Sequence, residues 1–240
     1  MIASMPATDM SPRFKARMAG FFYLLMLPIG AYHQFVGSRS LRVSSGAAAT
    51  AANILAHRFL FQSALVVDLL VVACYLAVTA LFYELFKPVN RTVSLVAALF
   101  SLVGCTIQAF ASLFHIAPLV LLTHAQSLSA INHEQVAAQA HLLLGLYSPT
   151  YCIGLVFFAF YLALIGGLIF KSTFMPRLLG GLVVLQGLGW LTFLWPPLAK
   201  DLFPFLLVLA GMGELFLMLW LLIKGVDTTR WHESARAAGE

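Results

Sequence analysis

FLFQSALVVDLLVVACYLAVTALFYELF, residues Phe59 to Phe86, is the stretch whose reading decides the fold. As a helix rising ~1.5 Å per residue it is ~40 Å long, more than a ~30 Å hydrocarbon slab requires. Such a run is read as membrane-spanning. One carboxylate, Asp68, lies well inside it. An ionisable group at that position is costly, and by default it marks a candidate functional site.

The composition points the same way. The chain is 61% hydrophobic and only 10% charged, against roughly 25% charged in soluble domains. Too few polar side chains remain to cover a water-solvated surface, which excludes the ordinary soluble enzyme. The net charge of +5 does not require nucleic acid, because the positions of the charges explain it. Cys74, Cys105 and Cys152 all fall inside apolar segments. An odd count with none in a loop argues against a disulfide framework, and buried thiols behave as small hydrophobes.

Working outward from Phe59–Phe86, the chain reads as an all-α polytopic membrane helical bundle of six spans, at about 17–36, 58–86, 92–122, 141–170, 178–195 and 202–223. Polar tails occupy 1–16 and 227–240. The first apolar run, Met18 to Val36, is longer than the ~7–15 residues of a signal-peptide core and has Tyr32, His33 and Gln34 where small residues would be cleaved. It is therefore expected to be retained. Pro28 and Pro118 are expected to bend their helices, Pro88 to stop the second span, and Pro196-Pro197 to end the fifth. A short interfacial helix behind a serine cap is expected within 37–56, and Asn132 with Gln135 reads as a capping box.

Lysine and arginine set the orientation. Ten fall on the side of the N-terminus (Arg13, Lys15, Arg17, Lys87, Arg91, Lys171, Arg177, Lys224, Arg230, Arg236) and four on the other (Arg39, Arg42, Arg58, Lys200). The positive-inside rule then puts both termini in the cytoplasm. Trp190 and Trp195 suit an interfacial anchor.

Several strings, in order, carry a family resemblance: Ala48-Ala49-Thr50-Ala51-Ala52-Asn53-Ile54-Leu55, Asp68-Leu69-Leu70, Pro88-Val89-Asn90-Arg91, Gly154-Leu155-Val156-Phe157-Phe158, Pro176-Arg177-Leu178-Leu179-Gly180, Gly213-Glu214-Leu215 and Trp220-Leu221-Leu222-Ile223-Lys224-Gly225. From Arg17 to Val226 the chain resembles the bacterial multi-pass membrane proteins grouped as domain of unknown function 4386. The resemblance implies a polytopic protein of the bacterial inner membrane and no established activity. It also implies a basic residue near Gln62; the nearest here is Arg58, so an ion pair built there in relatives is displaced or absent.

Depth then sorts the polar residues. Asp68 lies ~15 Å below Arg58 on a helix that starts outside, and His115 reaches a similar depth on the next span. Ser101, Gln108 and His115 recur every seven residues with Gly104 and Ser112 between them, forming one stripe. His141, Ser148 and Cys152 form a comparable stripe beside Tyr147 and Tyr151, and His33 ends the first span on the same side. Their convergence would make an outward-facing polar pocket among spans 1 to 4. The plainer reading of Gln108, Ser112 and Ser148 is an interhelical hydrogen bond worth about 0.6 kcal/mol. Glu214, with Gln186 as its expected partner, is a second buried acid. Glu84 is expected to pair locally with Lys87.

Three functions compete. The first, which these residues favour, is binding or transport of a small molecule or ion through a pocket lined by Asp68 and His115. The second is an intramembrane metalloenzyme acting on a lipid-like substrate, with Asp68, His115 and His141 as ligands; the same depth would also let His33, His115 and His141 serve as axial haem ligands. The third is a non-catalytic assembly or sensor subunit. His133-Glu134-Gln135-Val136-Ala137 lacks the second histidine of a zincin, and no phosphate loop or nucleophile elbow is present. No cofactor is assigned, and the lipid bilayer is the one partner the composition demands.

Overall fold

A computed structural model describes residues 10–35, 46–126 and 132–239, with the side chains at 30, 31, 33–35 and 126 outside the description. The N-terminal tail before residue 10, Arg39, Arg42 and the side chain of His33 therefore lie outside the described residues. The described chain is all α: α1 (Pro12–Phe35), α2 (Ala47–Ala56), α3 (Arg58–Phe86), α4 (Arg91–Gln126), α5 (His133–Lys171), α6 (Arg177–Trp190), a 3-10 turn (Leu191–Leu194), α7 (Pro196–Ile223) and α8 (Thr228–Ala237). Five helical stretches, 58–86, 91–125, 133–171, 177–194 and 196–223, are long and apolar enough to cross a membrane.

Their outer faces carry Phe59, Val66, Leu113, Leu142, Leu178, Phe205, Val208 and Ile223, all exposed. That is the surface of a bundle solvated by lipid rather than water. α5 is the central helix: half of its most apolar window is buried, against 17% for α3.

Local chemistry sets the joints. α3 stops at Phe86, two residues before Pro88, and Asn90 opens α4 by accepting the Val93 amide at 2.9 Å. Asn132 opens α5 by accepting from Glu134 and Gln135, the cap expected there. Asp227 does the same for α8 through Thr229 and Arg230.

Other joints differ from expectation. The cap of α2 is Gly46, with no side-chain bond, rather than a serine. Pro196-Pro197 opens α7 instead of closing the span before it, because a missing amide is no loss in a first helical turn. α7 thus starts six residues ahead of the expected 202, since polar first turns are invisible to hydropathy. For the same reason α1 begins at Pro12 and α8 occupies a stretch read as tail.

α1 runs antiparallel to α3 along most of its length. Lys15 pairs with Glu84 at one end (3.3 Å), the Tyr23 ring packs on Tyr75 and Phe82 in the middle (6.1 Å each), and the Tyr32 hydroxyl meets Ser63 at the other (2.6 Å). α5 and α6 approach closely through glycines. A Cβ on Gly180 would lie 2.6 Å from the Phe170 amide, and one on Gly166 would lie 2.7 Å from the Gly180 carbonyl. This is the small-residue seam that membrane helices use where backbones must meet.

Two apolar clusters fill the interior. One holds Val72, Phe82, Cys105, Phe158, Ile165 and Leu221; the other holds Ile54, Phe61, Leu119, Leu122 and Leu144. On α3, α4 and α5 the residues between them are Asp68, His115 and Tyr147. The polar level is a seam between two greasy cores.

Candidate functional site: two acids inside the bundle

Asp68 follows Phe61 by two helical turns on α3 and turns toward α4 and α5. The Tyr147 hydroxyl donates to its Oδ2 at 3.1 Å, and His115 Nδ1 stands 3.7 Å from the same oxygen. His115 is completely buried, whereas the Asp68 side chain keeps 13% of its exposure. The imidazole is held edge-on to the Tyr147 ring at 5.6 Å and tilted against Phe61 at 4.6 Å. Asp68 is thus the more exposed member of the pair.

The tautomer follows from the far side of the ring. His115 Nε2 is 3.1 Å from the Phe61 carbonyl oxygen, which can only accept, so Nε2 carries the proton. In a neutral ring, Nδ1 then presents a lone pair toward Asp68. A lone pair facing a carboxylate is repulsive, and in a low-dielectric setting the repulsion is not screened. At 3.7 Å the two groups form an ion pair when the imidazole carries its second proton.

Other expected residues fall into place unevenly. Gln108 is buried in the α4 stripe with Ser101, Ser112 and His115, and it reaches Tyr151, whose ring lies beside Tyr147 at 6.0 Å. The α5 stripe is corrected. Ser148 points out of the bundle, and the face toward Asp68 carries Tyr147 and Tyr151 in line with Ala140, Leu144, Gly154 and Phe158. His141 is partly buried with its Nδ1 enclosed and lacking a partner among the described residues. Arg58 donates to the Leu55 carbonyl at 3.3 Å, and Gln62 is exposed. Among the described residues no three His, Cys, Asp or Glu side chains are placed to hold a metal ion. Asp68, His115 and His141 therefore do not form the expected metal-ligand set, because His141 lies nearly two turns from Tyr147 and misses the cluster.

The second acid has its expected partner. Gln186 Nε2 donates to Glu214 Oε1 at 3.0 Å. Gly213 makes this approach possible, since a Cβ there would sit 2.6 Å from Gln186 Oε1. Glu214 also lies within electrostatic reach of Tyr23, Tyr75 and Tyr151. Tyr75 packs on Phe158 at 4.5 Å and Tyr161 at 6.4 Å. This tyrosine cluster was missed from sequence. The signal was available: Tyr75 follows Asp68 by one heptad and Tyr23 lies in the middle of the first helix.

A family model described as Domain of unknown function (DUF4386) matches residues 18–225. A protein of Archaeoglobus fulgidus described as uncharacterized is 28% identical over 160 residues, covering 65% of this chain and 80% of its own length. No solved structure matches.

Proposed function

The chain belongs to the family described as domain of unknown function (DUF4386), and on that premise we propose that it is a six-span protein of the cytoplasmic membrane whose Asp68–His115–Tyr147 cluster binds a proton or small cation and couples it to a small solute on the outer side. The observation that carries this reading is the buried imidazole of His115, oriented by Phe61, whose Nδ1 approaches within 3.7 Å the Asp68 oxygen that also accepts from Tyr147. The residual exposure of Asp68 suits a group that a proton or cation must reach. Buried acids and imidazoles in this relation are the ordinary parts of ion and proton pathways.

The sixth span is α1. Its 24 residues are ~36 Å long and its contacts run beside α3 from Lys15 to Tyr32, which suits a crossing despite a polar start and finish. The basic residues gathered at the end of the bundle shared by α8 and the start of α1 favour that end as cytoplasmic.

The test is solute and ion flux, or ligand binding, in proteoliposomes. Asp68→Asn keeps the shape and removes the charge. It is expected to abolish ion-dependent binding or flux while the protein still folds, whereas Glu214→Gln is expected to retain it. Unchanged activity in Asp68→Asn, with only thermal stability altered, would reduce the cluster to a packing device.

A further inference from the structure

Glu214 stands deep in α7, ~27 Å of helix from Pro196 and ~14 Å from Ile223. We propose that it is a second proton-binding site, separate from Asp68: a carboxylic acid that holds its proton and opens toward the hydrocarbon of the bilayer.

Glu214 has no counter-charge among the described residues. The one hydrogen bond it receives there comes from Gln186, a neutral amide that is itself buried. The titratable groups within its electrostatic reach are Tyr23 on α1, Tyr75 on α3 and Tyr151 on α5. No described lysine, arginine or histidine pairs with it. Tyr151 in turn reaches Asp68, so the charged group beyond that ring is another acid. Asp68 differs, with His115 only 3.7 Å away. A carboxylate left without a cation in hydrocarbon is costly, and it takes up a proton instead.

The carboxyl is also uncovered. A helical side chain lies over the turn before its own Cα, and that turn carries only Ala210 and Gly211. Glu214 is partly exposed, and a Cβ on Gly211 would meet open space. Leu207, Gly211 and Leu215, all exposed, flank Glu214 on the same side of α7. The opening is therefore edged by the lipid-facing residues of a span, and an apolar reagent can approach it.

A hydrophobic carbodiimide reads both features at once. The carboxyl proton passes to one carbodiimide nitrogen while the carboxyl oxygen bonds to the central carbon. The acyl group then leaves that oxygen for the other nitrogen, giving a stable N-acylurea, and no further reactant is needed. An ionised carboxylate lacks the proton that the addition consumes.

The experiment treats the full chain in phosphatidylcholine proteoliposomes with dicyclohexylcarbodiimide at neutral pH and maps the modified peptides by mass spectrometry. Glu214 is expected to label at least about tenfold faster than with a water-soluble carbodiimide, because the cyclohexyl rings draw the reagent into the bilayer. Labelling is expected to fall as the pH is raised. It is expected to persist in Asp68→Asn, which keeps this test apart from the reading given for Asp68. Glu214→Gln is expected to lose the label at that peptide and to melt close to the parent, since the amide resembles the neutral acid. Should that variant fail to fold, the parent's own peptide map still decides. An unlabelled Glu214 in folded parent, an equal rate with the water-soluble reagent, or loss of the label in Asp68→Asn would overturn the proposal. Protection by sodium but not by choline at equal ionic strength would overturn it too, by giving the site to a metal cation.

Discussion

Single residues carry the chemistry, and their partners make sharp tests. The Tyr147 hydroxyl donates to Asp68 at 3.1 Å. Hydrogen bonds to charged groups are worth about 1.5–3 kcal/mol, so Tyr147→Phe is expected to lower the melting temperature in detergent and to weaken ion binding without abolishing it. Gly213→Ala places a methyl 2.6 Å from Gln186 Oε1 and must displace that side chain from Glu214. A loss of about 1–3 kcal/mol is expected, by the usual cost of overpacking, with function at Asp68 retained. The Asp68–His115 pairing was legible in the sequence because helical rise converts position into depth on two adjacent antiparallel helices. The tautomer was not, since it depends on a carbonyl of Phe61 that sequence does not orient. The His141–Ser148 stripe misled for a geometric reason: it is offset by one residue, ~100° around the helix, from the face toward α3 and α4, which carries Ala140, Leu144, Tyr147 and Tyr151.

At the scale of elements, the seam between α5 and α6 is the most exacting contact. Gly180→Val would drive a branched side chain into the Phe170 backbone and the Gly166 carbonyl. Backbone atoms cannot step aside as a side chain can, so the two helices must separate. The expected result is a loss of at least about 3 kcal/mol, or no folded protein in detergent, measured by thermal unfolding beside Gly181→Val, whose Cβ meets open space. Hydropathy found the long apolar helices because their interiors are continuous, and it missed what polar residues build. α8 is amphipathic and was read as tail, although Asp227 at its cap was a readable start signal. The first turns of α7 were lost the same way, whereas the Asn132 cap marked the start of α5. The Pro196-Pro197 pair was assigned to the wrong side of its joint because proline ends one helix and begins the next with equal ease.

The whole molecule is a bundle with two unlike ends joined by a polar level. One end gathers Lys15, Glu84, Lys87, Arg91 and Trp231 around a charged cleft. Toward the other, Asp68 sits between two apolar cores and keeps part of its exposure. Proposed orientation and proposed function meet in that one acid, so its exposure to the outer water is the claim to test. Asp68→Cys, in a chain whose Cys74, Cys105 and Cys152 have been replaced by serine or alanine, can be challenged with a membrane-impermeant thiol reagent in right-side-out and inside-out vesicles. Labelling in right-side-out vesicles, blocked in inside-out ones, is the predicted result. Labelling from the inner face alone, or from neither face in folded protein, would contradict the account.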